Sequence, residues 1–306
     1  MKKLNSLCAS LLVTLAASAQ TATYTNPVIN RSAPDPTVVR ADDGTFYLYS
    51  TEDVRNLPIY SSKNLVNWTF VGTAFTDASR PQWLPEGGIW APCINRVGSQ
   101  YVLYYSKSVW GGEWDAGIGV ATSQSPTGPF TDHGNMFISK GIGIQNCIDP
   151  FYIEDGGRKY LFWGSFHGIY GCELSDDGMS LKAGAKPQQV AGSFMEGTYI
   201  KRRGGYYYLF GSAGTCCDGE RSTYRVTVGR SRSLFGPYVD RQGRPLLDNY
   251  YEVMLHRNQR VIGPGHNAEL VTDAEGSDWL LYHGFSADSP DEGRKVWLDR
   301  VDWVDG

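Results

Sequence analysis

The chain repeats one two-strand phrase five times, and this internal repeat restricts the possible folds more than any other feature. Each copy has a short apolar stretch, a turn, and a second stretch dense in aromatic residues. The copies are DPTVVRADDGTFYLYS from Asp35, WAPCINRVGSQYVLYYS from Trp90, DPFYIEDGGRKYLFWGS from Asp149, EGTYIKRRGGYYYLFGS from Glu196 and HNAELVTDAEGSDWLLYHG from His266. Two such stretches joined by a glycine-containing turn are typical of a β-hairpin.

The spacing of the hairpins indicates how they are assembled. Their second stretches begin roughly 45 to 70 residues apart, which is a period typical of propellers. Segments 61–72, 123–134 and 231–243 resemble one another and are expected to form outer hairpins. No stretch after the N-terminus keeps a helical stripe, and a sandwich of about eight strands is too small for this chain. The sequence therefore predicts an all-β, five-bladed β-propeller with four-stranded blades and an active site at the axial channel.

The first residue of each copy is the candidate for function. A repeat places equivalent residues in equivalent positions, so Asp35, Trp90, Asp149, Glu196 and His266 are expected to converge on the propeller axis. Carboxylates held close together repel one another, and such clusters occur at functional sites. Cleavage of a glycosidic bond uses two carboxyl groups, one to protonate the leaving oxygen and one to activate water. Asp35, Asp149 and Glu196 supply two such groups and a third that can tune them.

The motifs around these residues resemble those of glycoside hydrolase family 43 across nearly the whole mature chain. The matching motifs are APDPTVV (33–39), WAP (90–92), GIGVATS (117–123), NCIDPF (146–151), MEGTYI (195–200) and GPGHN (263–267). The resemblance implies a five-bladed enzyme that hydrolyses arabinan, xylan or their side chains with inversion. It implies that Asp35 is the general base and Glu196 the general acid, with Asp149 raising the pKa of the acid.

Within that family the chain is most similar to the 1,5-α-L-arabinanases, through FWGSFHGIY (162–170) and SAGTCCDGERSTYRVTVGRS (212–231). The similarity implies that Trp90 stacks on an arabinose ring. The other substrate-binding residues that it implies are Asn146, Ser165, Phe166, Cys216 and Cys217. Cys93, in WAPC, stands where the family often has aspartate, and this difference is expected to alter the wall of the cleft.

The resemblance also implies a cation in the channel. His266 matches an axial histidine that helps to hold one, usually Ca²⁺, largely through water. Calcium prefers several oxygen ligands, and the sequence has no acidic loop dedicated to it. A metal-dependent hydrolase using His266 with His133, His167, His256 or His283 is disfavoured, because none of these lies at a ligand spacing such as H-x-x-x-H.

The N-terminus predicts export. Lys2 and Lys3 precede an apolar run at 7–17, and a small-residue cleavage site follows, so residues 1–19 are predicted to be a signal peptide. The run is too short for a membrane span, and a lipoprotein through Cys8 is the weaker interpretation. Residues 20–306 then form the catalytic domain, in the periplasm or outside the cell. The chain ends at Gly306, where relatives usually continue, so its last blade is expected to be shortened or to lack a C-terminal segment.

The five cysteines after the predicted cleavage site match no zinc-binding pattern. The adjacent Cys216 and Cys217 are hypothesised to form a disulfide, the alternative being two reduced thiols.

The composition limits the classes of molecule that the protein is expected to bind. The formal net charge is -4 and no basic run occurs, which disfavours nucleic acid. Aromatic residues make up 13%, and rings that pack the core can also stack on sugars. The expected partner is a plant cell-wall polysaccharide or oligosaccharide, bound by a monomer that does not span a membrane. Endo-cleavage of arabinan is the leading hypothesis. An exo-acting α-L-arabinofuranosidase or β-xylosidase and a non-catalytic carbohydrate-binding propeller are the alternatives.

Overall fold

The computed structural model describes residues 23–304, which are built almost entirely of β-strands. The predicted signal peptide at 1–19, with Cys8, lies outside the described residues. Five four-stranded sheets form the blades of a propeller, which confirms the predicted fold. Within residues 23–304, no helix has the length and apolar character needed to cross a bilayer.

Blades one to four follow the chain in order, and each antiparallel strand pairs with the next. Blade one comprises β1 (Thr37–Arg40), β2 (Phe46–Tyr49), β3 (Pro58–Ser62) and β4 (Thr69–Thr73). Blade two comprises β5 (Gly88–Val97), β6 (Gln100–Ser108), β7 (Gly117–Ser123) and β8 (Thr131–Ile138), and is followed by the single-turn helix α1 (Ser139–Ile142). Blade three comprises β9 (Phe151–Asp155), β10 (Arg158–Trp163), β11 (Ile169–Glu173) and β12 (Gln188–Ala191). Blade four comprises β13 (Met195–Arg203), β14 (Tyr206–Ala213), β15 (Arg225–Ser231) and β16 (Glu252–Leu255), with 3-10 turns at Gly219–Arg221 and Leu246–Asp248.

Blade five has a divided inner edge. Its strands are β17 (Val261–Gly265), β18 (Val271–Thr272), β19 (Asp278–Ser286) and β20 (Ser289–Val301). Both short strands pair with β19, and β20 pairs with the other edge of β19. Ile29 forms a β-bridge with Val296 of β20, and the Val28 N–H donates to the Val296 carbonyl at 2.9 Å. The N-terminal segment therefore joins the last blade and closes the ring.

The hydrophobic core lies between neighbouring blades, where most of the aromatic residues are used. Tyr49 and Ile59 of blade one pack in one buried cluster with Leu103 and Tyr105 of blade two. A second cluster joins Leu48 of blade one to blade five. Segments 61–72, 123–134 and 231–243 begin where the third strands of blades one, two and four end, as expected for outer hairpins. Sheet-to-sheet packing of this kind fixes the inner ends of the blades around the axis.

Candidate active site

The inner end of every blade carries a residue in the left-handed backbone conformation. These residues and their φ angles are Asp35 (54°), Ala91 (39°), Asp149 (60°), Gly197 (62°) and His266 (40°). A positive φ is uncommon for residues other than glycine and is held only where the surrounding structure enforces it. The five positions are the true equivalents in the repeat.

These five residues form a ring around the axis, and their positions correct the register predicted for two blades. Trp90 and Glu196 were expected at the equivalent positions, but Ala91 and Gly197 occupy them, each one residue later. The cause is a register shift in the inner strands, between Trp90 and Cys93 in β5 and between Glu196 and Tyr199 in β13. Both side chains nevertheless face the same cavity.

Side chains from the preceding blade hold this ring of five residues in place. Four of the five left-handed residues donate their backbone N–H in this way: Ala91 to Thr51 Oγ1 (2.8 Å), Asp149 to Ser106 Oγ (2.8 Å), His266 to Ser212 Oγ (2.7 Å) and Asp35 to His283 Nδ1 (3.1 Å). A buried N–H without a partner is costly, so these bonds stabilise the unusual backbone. They also fix where the carboxylates of Asp35 and Asp149 point.

Asp35 is surrounded by nitrogen atoms. Its Oδ1 lies 3.0 Å from Arg294 Nη1, 3.1 Å from His283 Nδ1 and 3.3 Å from His266 Nδ1. Thr51 donates to its Oδ2 at 2.6 Å. Burial raises the pKa of Asp35, but the positive charge of Arg294 opposes this effect, and the pKa lies well below its usual range. Asp35 is therefore ionised at neutral pH, as a base must be.

The two histidines beside Asp35 are neutral at pH 7. Burial and the neighbouring Arg294 lower the pKa of His283 to about 4. Burial likewise lowers the pKa of His266, although the carboxylate of Asp35 opposes the change. Arg294 is therefore the group that brings a formal positive charge to Asp35.

The surroundings of Glu196 favour its protonated form, unlike those of Asp35. Ser165 Oγ lies 2.6 Å from its Oε2, and Tyr224 donates to its Oε1 at 2.8 Å. Burial raises the pKa of Glu196 and the negative charge of Asp35 adds to the effect, while the two hydroxyl groups oppose it. Glu196 therefore favours its protonated form more than an exposed glutamate does, which suits a proton donor.

Asp149 lies beside both groups. Its Oδ2 accepts the N–H of Gly197 at 3.1 Å and lies 4.0 Å from His266 Nδ1. Burial raises the pKa of Asp149 well above its usual range, and the charges of Glu196 and Asp35 raise it further. Two adjacent buried carboxyl groups do not readily ionise together, so Asp149 and Glu196 share a proton as a pair. The three carboxylates thus meet at the axis as the repeat predicts, while their individual catalytic roles stay predictions.

A cavity of about 530 Å³ opens in front of Glu196. All six predicted substrate-binding residues line it: Trp90, Asn146, Ser165, Phe166, Cys216 and Cys217. The lining comes from blades two, three and four. Trp110, which the sequence did not indicate, is 83% exposed and packs edge-on against Trp90. Apolar rings beside a few polar groups are typical of a small-molecule site.

The cysteines fall into two groups. Cys216 and Cys217 form the hypothesised disulfide between adjacent residues. Cys93, Cys147 and Cys172 are free and buried. Cys93 was expected at the wall of the cleft, but its sulfur is buried against Asn95 and the N–H of Tyr152, because it lies two residues beyond the left-handed Ala91. That expectation is wrong.

His266 is the residue predicted to help hold a cation at this site. His266 directs Nδ1 at Asp35, which leaves Nε2 as the nitrogen able to bind a metal. Within residues 23–304, no group of three or more His, Cys, Asp or Glu side chains is arranged to hold a metal ion. The neutral imidazole fits a cation whose other ligands are water, and does not fit one held in a cage of carboxylates.

Sequence reasoning missed four residues that contact the carboxylates: Thr51, Tyr224, His283 and Arg294. Thr51 directly follows the first copy of the repeated sequence and His283 is next to last in the fifth, close to where other copies end in Ser106, Ser165 and Ser212. That recurring polar position was a usable signal. Arg294 lies in the charged segment of β20 and carries no signal in the repeat.

An ionised carboxylate facing a buried, proton-sharing pair, beside an aromatic-lined cavity, is the arrangement expected of a glycoside hydrolase. Residues 24–306 match the family described as "Glycosyl hydrolases family 43", and the chain belongs to that family.

Relatives with assigned activities support the membership of the chain in this family. An extracellular exo-α-(1→5)-L-arabinofuranosidase of Cellvibrio japonicus is 34% identical over 83% of this chain and 79% of its own length. An extracellular endo-α-(1→5)-L-arabinanase of Bacillus subtilis is 31% identical over 98% of this chain and 94% of its own length. The structure of an α-L-arabinanase of Cellvibrio cellulosa with arabinohexaose superposes with a TM-score of 0.81, at 31% identity over 90% of this chain and 93% of that one.

Proposed function

We propose that this glycoside hydrolase is secreted and cleaves α-1,5-L-arabinofuranosyl linkages within arabinan, with inversion at the anomeric carbon. The observation that carries the proposal is the contrast between two neighbouring carboxyl groups at the propeller axis: Asp35 is held ionised, and Glu196, which lines the cavity, is held towards its protonated form. These are the states that a base and an acid need before the reaction begins.

In the proposed reaction Asp35 accepts a proton from water as the water oxygen attacks the anomeric carbon. Glu196 gives its proton to the glycosidic oxygen as the bond from that oxygen to the anomeric carbon breaks. Asp149 completes the proton-sharing pair and keeps Glu196 from ionising early. Trp90 and Phe166, on the cavity wall, are placed to stack against sugar rings.

Endo action is supported by the shape of the site and by the relatives. The cavity of about 530 Å³ is lined by residues of three blades and includes the exposed Trp110, which offers a further ring for a sugar to stack on. The endo-arabinanase of Bacillus subtilis matches over nearly the whole chain. The second candidate is exo action, because the Cellvibrio japonicus relative is named as an exo-acting enzyme.

Product analysis tests the proposal. The mature protein is incubated with linear 1,5-arabinan, arabinoxylan and aryl α-L-arabinofuranosides, and products are separated at early times. A ladder of arabino-oligosaccharides supports endo cleavage. Release of arabinose alone, from polymer or aryl glycoside, supports the exo enzyme. Binding of arabinan without any product supports a non-catalytic carbohydrate-binding propeller.

The proposal includes one cation near His266, coordinated mostly by water, which would supply positive charge beside the carboxylates. Dialysis against a chelator is expected to lower the melting temperature, and addition of Ca²⁺ to restore it. An unchanged melting curve, together with no bound metal by elemental analysis, would remove the cation from the proposal.

Secretion and a monomeric state belong to the same proposal. The two relatives from Cellvibrio japonicus and Bacillus subtilis are named as extracellular, and the predicted signal peptide agrees with this. The expected partner is plant cell-wall arabinan. Detection of the full-length, unprocessed chain in the cytoplasm of its host would contradict this part.

A further inference from the structure

We infer that Tyr224 is a positioning residue for Glu196, held in place by a slot that the absence of a side chain at Gly265 creates. The inference rests on the proposed function, because it assigns a task within the proton-donation step. It also gives a physical role to the glycines of the GPGHN motif, which the catalytic scheme leaves unexplained.

Tyr224 connects the two halves of the site. Its hydroxyl donates to Glu196 Oε1 at 2.8 Å, and its side chain is 1% exposed. Its ring stacks on His283 with centroids 5.5 Å apart and planes inclined by 10°. His283 in turn contacts Asp35, so one rigid stack relates the proposed acid to the proposed base.

The ring of Tyr224 fits only because residue 265 is glycine. A Cβ atom at Gly265 would lie 2.1 Å from Cδ1 and 2.3 Å from Cε1 of Tyr224, well inside van der Waals contact. At Gly263, which has a φ of 58°, a Cβ atom would lie 2.0 Å from Ser222 Oγ and 3.5 Å from Tyr224 Cβ. Blade five therefore leaves room for this segment of blade four and directs the hydroxyl at Glu196.

The hydrogen bond from Tyr224 fixes the orientation of the Glu196 carboxyl group. Oε1 accepts the Tyr224 hydroxyl at 2.8 Å and Oε2 accepts the Ser165 hydroxyl at 2.6 Å, so the two donors together fix the plane of the carboxyl group. Burial and the nearby carboxylates raise the pKa of Tyr224 well above its usual range, so the hydroxyl keeps its hydrogen. When the Glu196 proton moves to the glycosidic oxygen, the electron pair of the breaking bond goes to that oxygen. Tyr224 then stabilises the carboxylate left on Glu196.

The charged and titratable groups around Glu196 do not replace this bond. They are Asp149, Asp35 and Arg294, with His266 against the backbone of Gly197. Ser165 and Tyr224 are the two side chains that hydrogen-bond to the carboxyl group within the described residues. Ser165 donates to Oε2, so loss of Tyr224 leaves Oε1 without its donor.

The test compares leaving groups. A substrate whose leaving group is a 2,4-dinitrophenolate needs little protonation, whereas an unsubstituted phenol or a sugar needs a proton from the acid. Tyr224→Phe keeps the ring and removes only the hydroxyl. Loss of a hydrogen bond to a charged group predicts a fall of roughly 10- to 100-fold in kcat/KM on arabinan and on phenyl arabinosides. On the dinitrophenyl arabinoside we expect a change of less than about threefold.

Gly265→Ala supplies an independent test, because it keeps the hydroxyl and displaces the ring. It is expected to give the same dependence on leaving group. Tyr238→Phe is the matched control: Tyr238 is equally buried in blade four, and its hydroxyl donates to the carbonyl of Leu234 at 2.7 Å, so its loss affects stability alone. Melting temperatures of all variants are recorded.

An equal loss on activated and unactivated substrates in Tyr224→Phe would overturn the inference, because it would mean a structural role. So would an unaltered rate on arabinan. A wild-type protein that cleaves neither arabinan nor any arabinoside would instead refute the proposed function, and the inference with it. The wild-type rate, measured first, tells these outcomes apart.

Discussion

Arg294→Met is the most informative single change at the proposed base. The guanidinium lies 3.0 Å from Asp35 Oδ1, and the two side chains are only 15% and 11% exposed. With an effective dielectric constant of about 20, charges at that separation attract by about 5 kcal/mol before desolvation is counted. Because His283 and His266 are neutral at pH 7, no other formal positive charge contacts Asp35 within the described part of the chain. The substitution leaves a buried carboxylate without its charged partner.

Two measurable effects follow. Breaking a buried ion pair from one side costs about 3–5 kcal/mol of unfolding free energy, which corresponds to a melting temperature lower by roughly 6–20 °C for a domain of this size. The pKa of Asp35 also rises. Since the base must be ionised, the acidic limb of the pH profile of kcat/KM on arabinan is expected to move to higher pH.

The pH dependence of stability tests whether folding lowers the pKa of Asp35. A carboxylate whose pKa is lowered by folding contributes stability above its unfolded pKa, and that contribution disappears as the pH falls through the lowered value. The difference in melting temperature between wild type and Arg294→Met is therefore largest near neutral pH and shrinks in strong acid. Arg294→Lys keeps a positive charge beside Asp35 and should retain most of the wild-type stability. Arg55→Met breaks an exposed pair with Asp77 and should leave the melting temperature nearly unchanged. An unchanged acidic limb in Arg294→Met would refute the reasoning.

Other substitutions test the remaining parts of the site. Glu196→Gln removes the proton donor, and we expect kcat on arabinan to fall by roughly 10²- to 10⁴-fold with the fold retained, as measured by release of reducing ends. Asp149→Asn is expected to cost nearly as much, because it breaks the proton-sharing pair; a mild loss would show that its supporting role is misassigned. Trp90→Ala removes a stacking ring and is expected to raise KM for arabino-oligosaccharides by roughly fivefold, about 1 kcal/mol, with little change in kcat. A fall in kcat with unaltered KM would place Trp90 outside the binding subsites.

The architecture could be predicted from the sequence because each hairpin is determined by residues that are close together in the chain. Alternating apolar residues and a glycine turn determine each hairpin, and their spacing determines the number of blades. The same repeat located Asp35 and Asp149 in the correct register. It misplaced Trp90 and Glu196 by one residue, because a register shift within β5 and β13 leaves no trace in the pattern of apolar residues.

The surroundings of the carboxylates were harder to predict. Arg294 reaches Asp35 from β20, across 259 positions of sequence, and only the closed ring brings them together. Tyr224 lies within a recognisable motif, but its task depends on the space left by Gly265 in another blade. Contacts between blades depend on packing, and a repeat within one blade does not encode them. The prediction for Cys93 failed for a related reason: Cys93 lies two residues along the strand from Ala91, the residue at the axis, and its side chain is packed between blades.

The configuration of the first product tests the central claim most directly. Proton NMR of arabino-oligosaccharides during the first moments of hydrolysis reports the anomer released before mutarotation mixes the forms. A base that activates water opposite an acid that protonates the leaving oxygen inverts the centre, so α-linked substrate is predicted to give the β-anomer first. Initial release of the α-anomer would show that a side chain attacks the sugar itself, and the assignment of Asp35 and Glu196 would then be wrong.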